Sequence, residues 1–161
     1  MNQLKRLLLV EDSPRDAELI LDALDGNQLA NEVVHVRDGA EALEFLYRRG
    51  AFAGRPEGQP ALILLDLKLP KVDGLEVLSQ IKGDPALKMI PVVMMTSSRE
   101  ERDLLKSYQL GANAYVVKPM KFQDFVEAVK QVGVFWAVVN EVPPRSAVAD
   151  VPGSRGDPEV A

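Results

Sequence analysis

The chain has 161 residues, 47% of them hydrophobic and 27% charged, with a net charge of −5 and no cysteine. Such a chain closes one hydrophobic core without staples. Its acidity and lack of a basic stripe argue against nucleic acid as a partner, and the missing cysteine excludes disulfides, thiolate catalysis and cysteine-ligated metal. The apolar run at the amino terminus is too short for a signal peptide or a membrane span, so a cytoplasmic location with no membrane partner is expected by default.

Residues 6–10 read as a first buried strand that ends abruptly in Glu11, Asp12, Ser13 and Pro14. Ser13 is placed to cap a helix with Pro14 at its first position, and Ala17, Ile20, Leu21 and Leu24 follow at helical spacing. Asp25, Gly26 and Asn27 stop it. Residues 33–36 form a second strand, and Asp38 with Gly39 opens a helix carrying Ala42, Leu43, Phe45 and Leu46. The segment 49–60, rich in Gly and Pro, is expected to be a surface loop. Five apolar residues, 61–65, then lie between Pro60 and Asp66, the pattern of a strand buried on both faces of a parallel sheet. Pro70 and Gly74 bracket the following loop, and Asp73 is placed to cap a helix with Leu75, Val77, Leu78 and Ile81 inside.

Residues 91–95 form a fourth apolar strand that runs into Thr96, Ser97 and Ser98. A charged helix with Leu104, Leu105 and Tyr108 follows and ends at Gly111. Residues 114–117 make the fifth strand, ending at Lys118 and Pro119, and a last helix begins near Phe122 with Phe125, Val126, Val129 and Val132 at core spacing. Five strands alternating with five helices predict an α/β fold, a doubly wound parallel sheet with helices on both faces and right-handed crossovers. One domain over 1–142 is expected, and the segment 143–161, proline-rich and without apolar periodicity, is expected to be disordered.

Parallel strands all end on one side, so this order brings Glu11, Asp12, Asp66, Thr96 and Lys118 to one rim. Each alone is ordinary as a cap, a turn hydroxyl or an exposed charge. Together they make a chemical site. Three carboxylates at close range repel one another and raise each other's pKa unless a cation sits among them. Mg²⁺ answers that need with oxygen ligands and open positions for phosphate oxygens. It would place a phosphoryl group in line with Asp66, with Lys118 and Thr96 on its other oxygens, and Asp66 would become an aspartyl phosphate. A phosphate-cradling loop fits poorly, since Glu11 and Asp12 stand where its glycines would be. A haloacid-dehalogenase type phosphatase would want a second aspartate two residues after Asp66, where Lys68 stands.

The segments LLLVEDSP at 7–14, ILLDLKLPKVDG at 63–74, PVVMMTSS at 91–98 and GANAYVVKP at 111–119 together resemble the receiver domain of two-component response regulators. The resemblance implies a flavodoxin-like sheet in the order 2-1-3-4-5 and a phosphoryl group passed to Asp66 from a sensor histidine kinase. It implies Mg²⁺ held directly by Asp12 and Asp66, through water by Glu11, and by the backbone carbonyl of Lys68. Lys118 would pair with the phosphoryl group, and the peptide bond before Pro119 would be cis. Thr96 and Tyr115 match the switch pair, whose hydroxyl and ring move on phosphorylation, while Lys68 and Ser98 match positions that tune dephosphorylation. Such a protein is a phosphoacceptor rather than an enzyme, beyond self-phosphorylation from small donors and its own dephosphorylation.

After the receiver the sequence offers only an extended helix and a tail, so output through protein contacts is expected. Phe135, Val138, Val139 and Val142 repeat at i, i+3, i+4 and i+7, and Trp136 continues the core stripe. That second stripe either folds back on its own sheet or joins two copies in a symmetric homodimer. The loop 49–60, the LPKVDG and IPVVMMTSS phrases and the Phe135–Trp136 pair resemble regulators partnered with bacterial and cyanobacterial phytochrome kinases. A histidine phosphotransfer protein is a second expected partner. His35, within an apolar strand, is expected to be packed or exposed rather than chemical. Two alternatives stay open on the residues alone: a scaffold that works without phosphorylation, and a Mg²⁺-dependent phosphohydrolase, which would need a cap over the site.

Overall fold

A strand covered on both faces needs apolar side chains at every position rather than at alternate ones. The strands Leu62–Asp66 (β3) and Val92–Thr96 (β4) meet that condition up to their last residues, and every residue in them is buried. The computed structural model describes residues 5–25, 31–56, 58–97, 106 and 108–131. Lys5–Val10 (β1), Asn31–Val36 (β2) and Ala114–Val117 (β5) complete one sheet, parallel at every pairing, in the order β2-β1-β3-β4-β5. The helices Pro14–Asp25 (α1), Gly39–Tyr47 (α2), Gly74–Gly83 (α3) and Phe122–Gln131 (α4) cover it. The flavodoxin-like order expected from the sequence is the one observed.

The two-residue period of the strands divides the core. Leu8, Val10, Ile63, Leu65, Val92 and Met94 point to the side of α2 and α3. Leu7, Leu9, Leu62, Leu64, Val93 and Met95 point to the side of α1 and α4, where Phe125 is fully buried. β3 and β4 each run one residue further than their apolar stretch, because Asp66 pairs with Met95 and Thr96 with Val117. Backbone pairing thus carries both polar side chains to the sheet's carboxyl edge at fixed positions.

The expected caps are in place. Ser13 Oγ accepts from Asp16 N at 3.2 Å, Asp38 Oδ1 from Glu41 N at 2.8 Å and Asp73 Oδ2 from Leu75 N at 3.3 Å. The segment 49–60 is a surface connection, but it carries a 3-10 turn, Gly50–Phe52, and is pinned by side-chain hydrogen bonds, among them Gln59 Nε2 to Leu46 O at 3.3 Å. Arg55 donates to Phe45 O at 2.7 Å and to Pro56 O and Gly58 O at 2.8 Å, with its guanidinium 4.2 Å from the centre of the Phe45 ring.

Of the expected fourth helix, Lys106, Tyr108 and Gln109 are helical, while Leu104, Leu105 and Ser98 lie outside the described residues. Also outside them are Val132, Phe135, Trp136, Val138, Val139 and Val142 and the segment 143–161. Among the described residues no helix is long and apolar enough to cross a membrane.

Gly74 sets how closely α3 approaches the end of β3. A Cβ there would collide with the backbone carbonyls of Asp66 and Leu67, so the helix starts hard against the strand. Gly83, at the other end of the same helix, has open space around it. Gly74→Ala is therefore expected to lower stability by about 1–3 kcal/mol, and Gly83→Ala to leave it unchanged or raise it by up to about 1 kcal/mol. Urea denaturation of both variants checks the pair, and equal effects would contradict the packing described.

Candidate functional site

The site begins where β1 ends. Glu11 N donates to Val36 O at 3.1 Å, prolonging the ladder between β1 and β2, and His35 Nε2 donates to Glu11 O at 2.8 Å. These two bonds fix the backbone so that the Glu11 side chain turns inward, where it is fully buried. Its Oε2 accepts from Ser13 N at 3.1 Å. Asp12, next in the chain, is exposed. Asp66 closes β3 and is 5% exposed, with its Oδ1 accepting from Lys68 N at 3.4 Å. Lys118 follows β5, its N–H donating to Thr96 O at 2.8 Å and its bond to Pro119 cis.

The Lys118 ammonium reaches back under this edge. Its Nζ lies 2.6 Å from Glu11 Oε1, 3.2 Å from Asp16 Oδ2 and 3.3 Å from Asp66 Oδ2. The first contact is a close ion pair without hydrogen-bond alignment, and Glu11 Oε1 accepts no directed hydrogen bond among the described residues. Burial alone would lower the Lys118 pKa. The Glu11, Asp66 and Asp16 carboxylates outweigh it and hold the ammonium above the usual lysine range. Asp66 goes the unexpected way for an ion-paired acid: burial, then the Glu11 carboxylate, push it up to about 7 against the opposing pull of Lys118. One ammonium does not neutralise that many acids.

Glu11, Asp12 and Asp66 each offer a carboxylate oxygen, all within 4.8 Å of one another. The donors are all oxygen, the local charge is negative beyond what Lys118 offsets, and Asp12 is open to solvent. These residues fit a hard divalent cation. Glu11, Asp12, Asp66 and Lys118 are thus brought together as the sequence order implied. Thr96 stands at the end of the neighbouring strand, buried. Tyr115, two residues earlier than the Thr96 partner Val117, is half-buried opposite Met94 and packs against the side of the core under α2 and α3. Lys68 is exposed on the loop after Asp66. Sequence reading missed Asp16, whose contact with Lys118 spans 102 residues, and the bond from His35 to Glu11. The local pattern gives neither, since Asp16 reads there as an ordinary first-turn helix acid.

The fold and this rim define a flavodoxin-like α/β protein with an acidic cluster at its strand ends that fits a divalent cation. The chain belongs to the response regulator receiver domain family, whose model matches residues 7–130. It is 43% identical over 135 residues to response regulator Rcp1 of Synechocystis sp., covering 84% of this chain and 90% of that protein. The structure of manganese-bound Rcp1 superposes with a TM-score of 0.70 at 42% identity, over 86% of this chain and 97% of that one. The bacteriophytochrome response regulator AtBRR gives a TM-score of 0.80 at 61% identity, over 87% of this chain and all of that one. The phosphorylated cyanobacterial phytochrome response regulator RcpA gives 0.71 at 44% identity, over 84% and 95%. The protein is therefore a signalling protein of the two-component type, similar to phytochrome-associated regulators.

The raised Asp66 carboxyl has a consequence for stability. The folded chain keeps this proton up to about pH 7, whereas the unfolded chain loses it near pH 4, so metal-free stability attributable to Asp66 falls as pH rises through that window and levels off above it. With EDTA present, Asp66→Asn is expected to be more stable than wild type at pH 8 by on the order of 2 kcal/mol, the difference closing towards pH 4. Equal urea midpoints at pH 8 would count against the strained carboxylate.

Proposed function

We propose that this protein is a response regulator in which Asp66 accepts a phosphoryl group from a sensor histidine kinase in a Mg²⁺-dependent reaction, and that the phosphorylation state switches its protein contacts in the cytoplasm. The observation that carries this reading is the Asp66 carboxylate at a rigid strand end with Lys118 Nζ at 3.3 Å and the carboxylates of Glu11 and Asp12 beside it. An Asp66 oxygen attacks phosphorus, the bond from phosphorus to the kinase imidazole breaks, and its electron pair returns to the imidazole nitrogen. Lys118 meets the negative charge on the phosphoryl oxygens, and the Thr96 hydroxyl donates to one of them. Asp12, Asp66 and the backbone carbonyl of Lys68 would hold Mg²⁺, which would supply further neutralisation of that charge. Both Glu11 oxygens are already engaged, by Lys118 and by Ser13, which supports Glu11 acting on the cation through water.

Phosphorylation adds about −1.5 to −2 charges and three strong acceptors at the end of β3. The Thr96 hydroxyl gains a charge-assisted bond only in that state, and movement of Thr96 leaves space for the Tyr115 ring, which biases a two-state surface. The two relatives named for phytochromes, AtBRR and RcpA, support a phytochrome-type kinase as the phosphoryl source. A histidine phosphotransfer protein is the second partner proposed. The reading extends to a symmetric homodimer through Phe135, Val138, Val139 and Val142, supported by the periodicity of the sequence.

Acetyl phosphate with Mg²⁺ tests the reaction, with intact mass as the readout. The wild-type protein is expected to gain the mass of one phosphoryl group, and Asp66→Asn none. Asp12→Ala, at an exposed position, is expected to weaken Mg²⁺ binding at least about tenfold with little effect on folding. A second phosphoryl group on wild type, or uptake by Asp66→Asn, would move the acceptor elsewhere.

A further inference from the structure

Ser13, Pro14, Arg15 and Asp16 have the spacing of a reciprocal helix cap, in which the serine hydroxyl takes the amide of the third helical residue and that residue's carboxylate returns to the serine amide. Half of this motif is present, since Ser13 Oγ accepts from Asp16 N at 3.2 Å. The other half is diverted. Ser13 N donates to Glu11 Oε2 at 3.1 Å, and the Asp16 carboxylate turns instead to Lys118 Nζ at 3.2 Å.

Three carboxylates surround this one ammonium: Asp16 and Asp66 accept hydrogen bonds from it, and Glu11 is held as a close ion pair. The three are not equivalent. Glu11 is fully buried and tied to Ser13, and Asp66 is the acceptor itself. Asp16 is the least buried of the three, with its side chain 38% accessible, so it is the anion that Lys118 leaves most easily. A phosphoryl group on Asp66 adds negative oxygens that draw on the same ammonium, so it competes with Asp16 for Lys118.

We propose that Asp16 is a positioning residue that holds Lys118 in its resting place and, through its charge, opposes loading of Asp66. This rests on the phosphoacceptor reading above. Two effects act in the same direction: Asp16 engages the positive charge that the phosphoryl oxygens need, and it repels those oxygens. Toward a cation its effect is opposite, because its charge adds to the negative potential of the rim. Removing the charge therefore favours an anionic phosphoryl mimic and disfavours the cation alone. An acid that only stabilises the first turn of α1 would move stability without this divergence.

The test uses the full chain and isothermal titration calorimetry with Mg²⁺ alone, then with beryllofluoride at saturating Mg²⁺, on wild type, Asp16→Asn and Asp16→Glu. Asp16→Asn is expected to bind beryllofluoride roughly three- to tenfold more tightly and Mg²⁺ alone roughly two- to fivefold more weakly, whereas Asp16→Glu stays within about twofold of wild type on both. Circular dichroism confirms folding, and Asp16→Ser makes the same charge removal should the Asn variant not fold. Beryllofluoride binding by Asp16→Asn that is unchanged or weaker, or an Asp16→Glu variant that behaves like Asp16→Asn, would overturn the inference alone. Wild type that binds Mg²⁺ but no beryllofluoride would overturn the phosphoacceptor reading and the inference with it.

Discussion

The Lys118 ammonium lets several acids share the end of one sheet. Glu11 leaves β1, Asp66 ends β3, Asp16 lies in the first turn of α1 and Lys118 follows β5, so a single charged group ties together parts of the chain that meet only through the fold. Removing the Lys118 ammonium would leave Glu11 and Asp66 buried without a countercharge, at a cost of about 3–5 kcal/mol. The order β2-β1-β3-β4-β5 makes the convergence possible, because β1 and β4 flank β3 and β5 lies next beyond β4. The site thus depends on topology, and the carboxyl edge depends in turn on the site's own charge balance.

That balance is incomplete in the resting protein. Asp66 is pushed up to about 7 because it is buried beside Glu11, and Lys118 cannot offset both as well as Asp16 and Asp12. Conformational freedom does not relieve it. Gly74 seats α3 against the Asp66 and Leu67 carbonyls, and Gly39 seats α2 against the Val72 carbonyl, so the loop after Asp66 is packed from two sides. Lys71 in that loop holds a left-handed backbone at φ 67°, and its Nζ is 3.6 Å from Asp38 Oδ2. A packed acidic site of this kind is poised for a ligand that brings positive charge. The pairing of β4 with β5 sets Thr96 beside Val117 at this edge and Met94 beside Tyr115 two residues further in.

The parts of this arrangement that are local are legible in the sequence. The all-apolar runs before Asp66 and Thr96 identify buried parallel strands, and Ser13, Asp38 and Asp73 announce helix starts through their own side chains. Strand ends shift by a residue, because pairing continues through Asp66 and Thr96 although neither is apolar. What the sequence leaves hidden is long-range and directional. Asp16 and Lys118 are 102 residues apart, and no spacing rule links them. His35 reads as packed or exposed, while its bond to Glu11 O depends on how β2 lies beside β1. The segment 49–60 reads as a plain loop, yet Arg55 spans three carbonyls and an aromatic face that only the folded chain presents together.

Everything proposed for this rim requires that the phosphoryl group, the cation and Lys118 meet at Asp66. A crystal structure of the full chain with Mg²⁺ and beryllofluoride would show whether they do. The expected result is a tetrahedral group on an Asp66 carboxylate oxygen, with Lys118 Nζ and the Thr96 hydroxyl on its outer atoms and the cation beside Asp12. Beryllofluoride on a different side chain, or a cation bound away from Asp12 and Asp66, would contradict it.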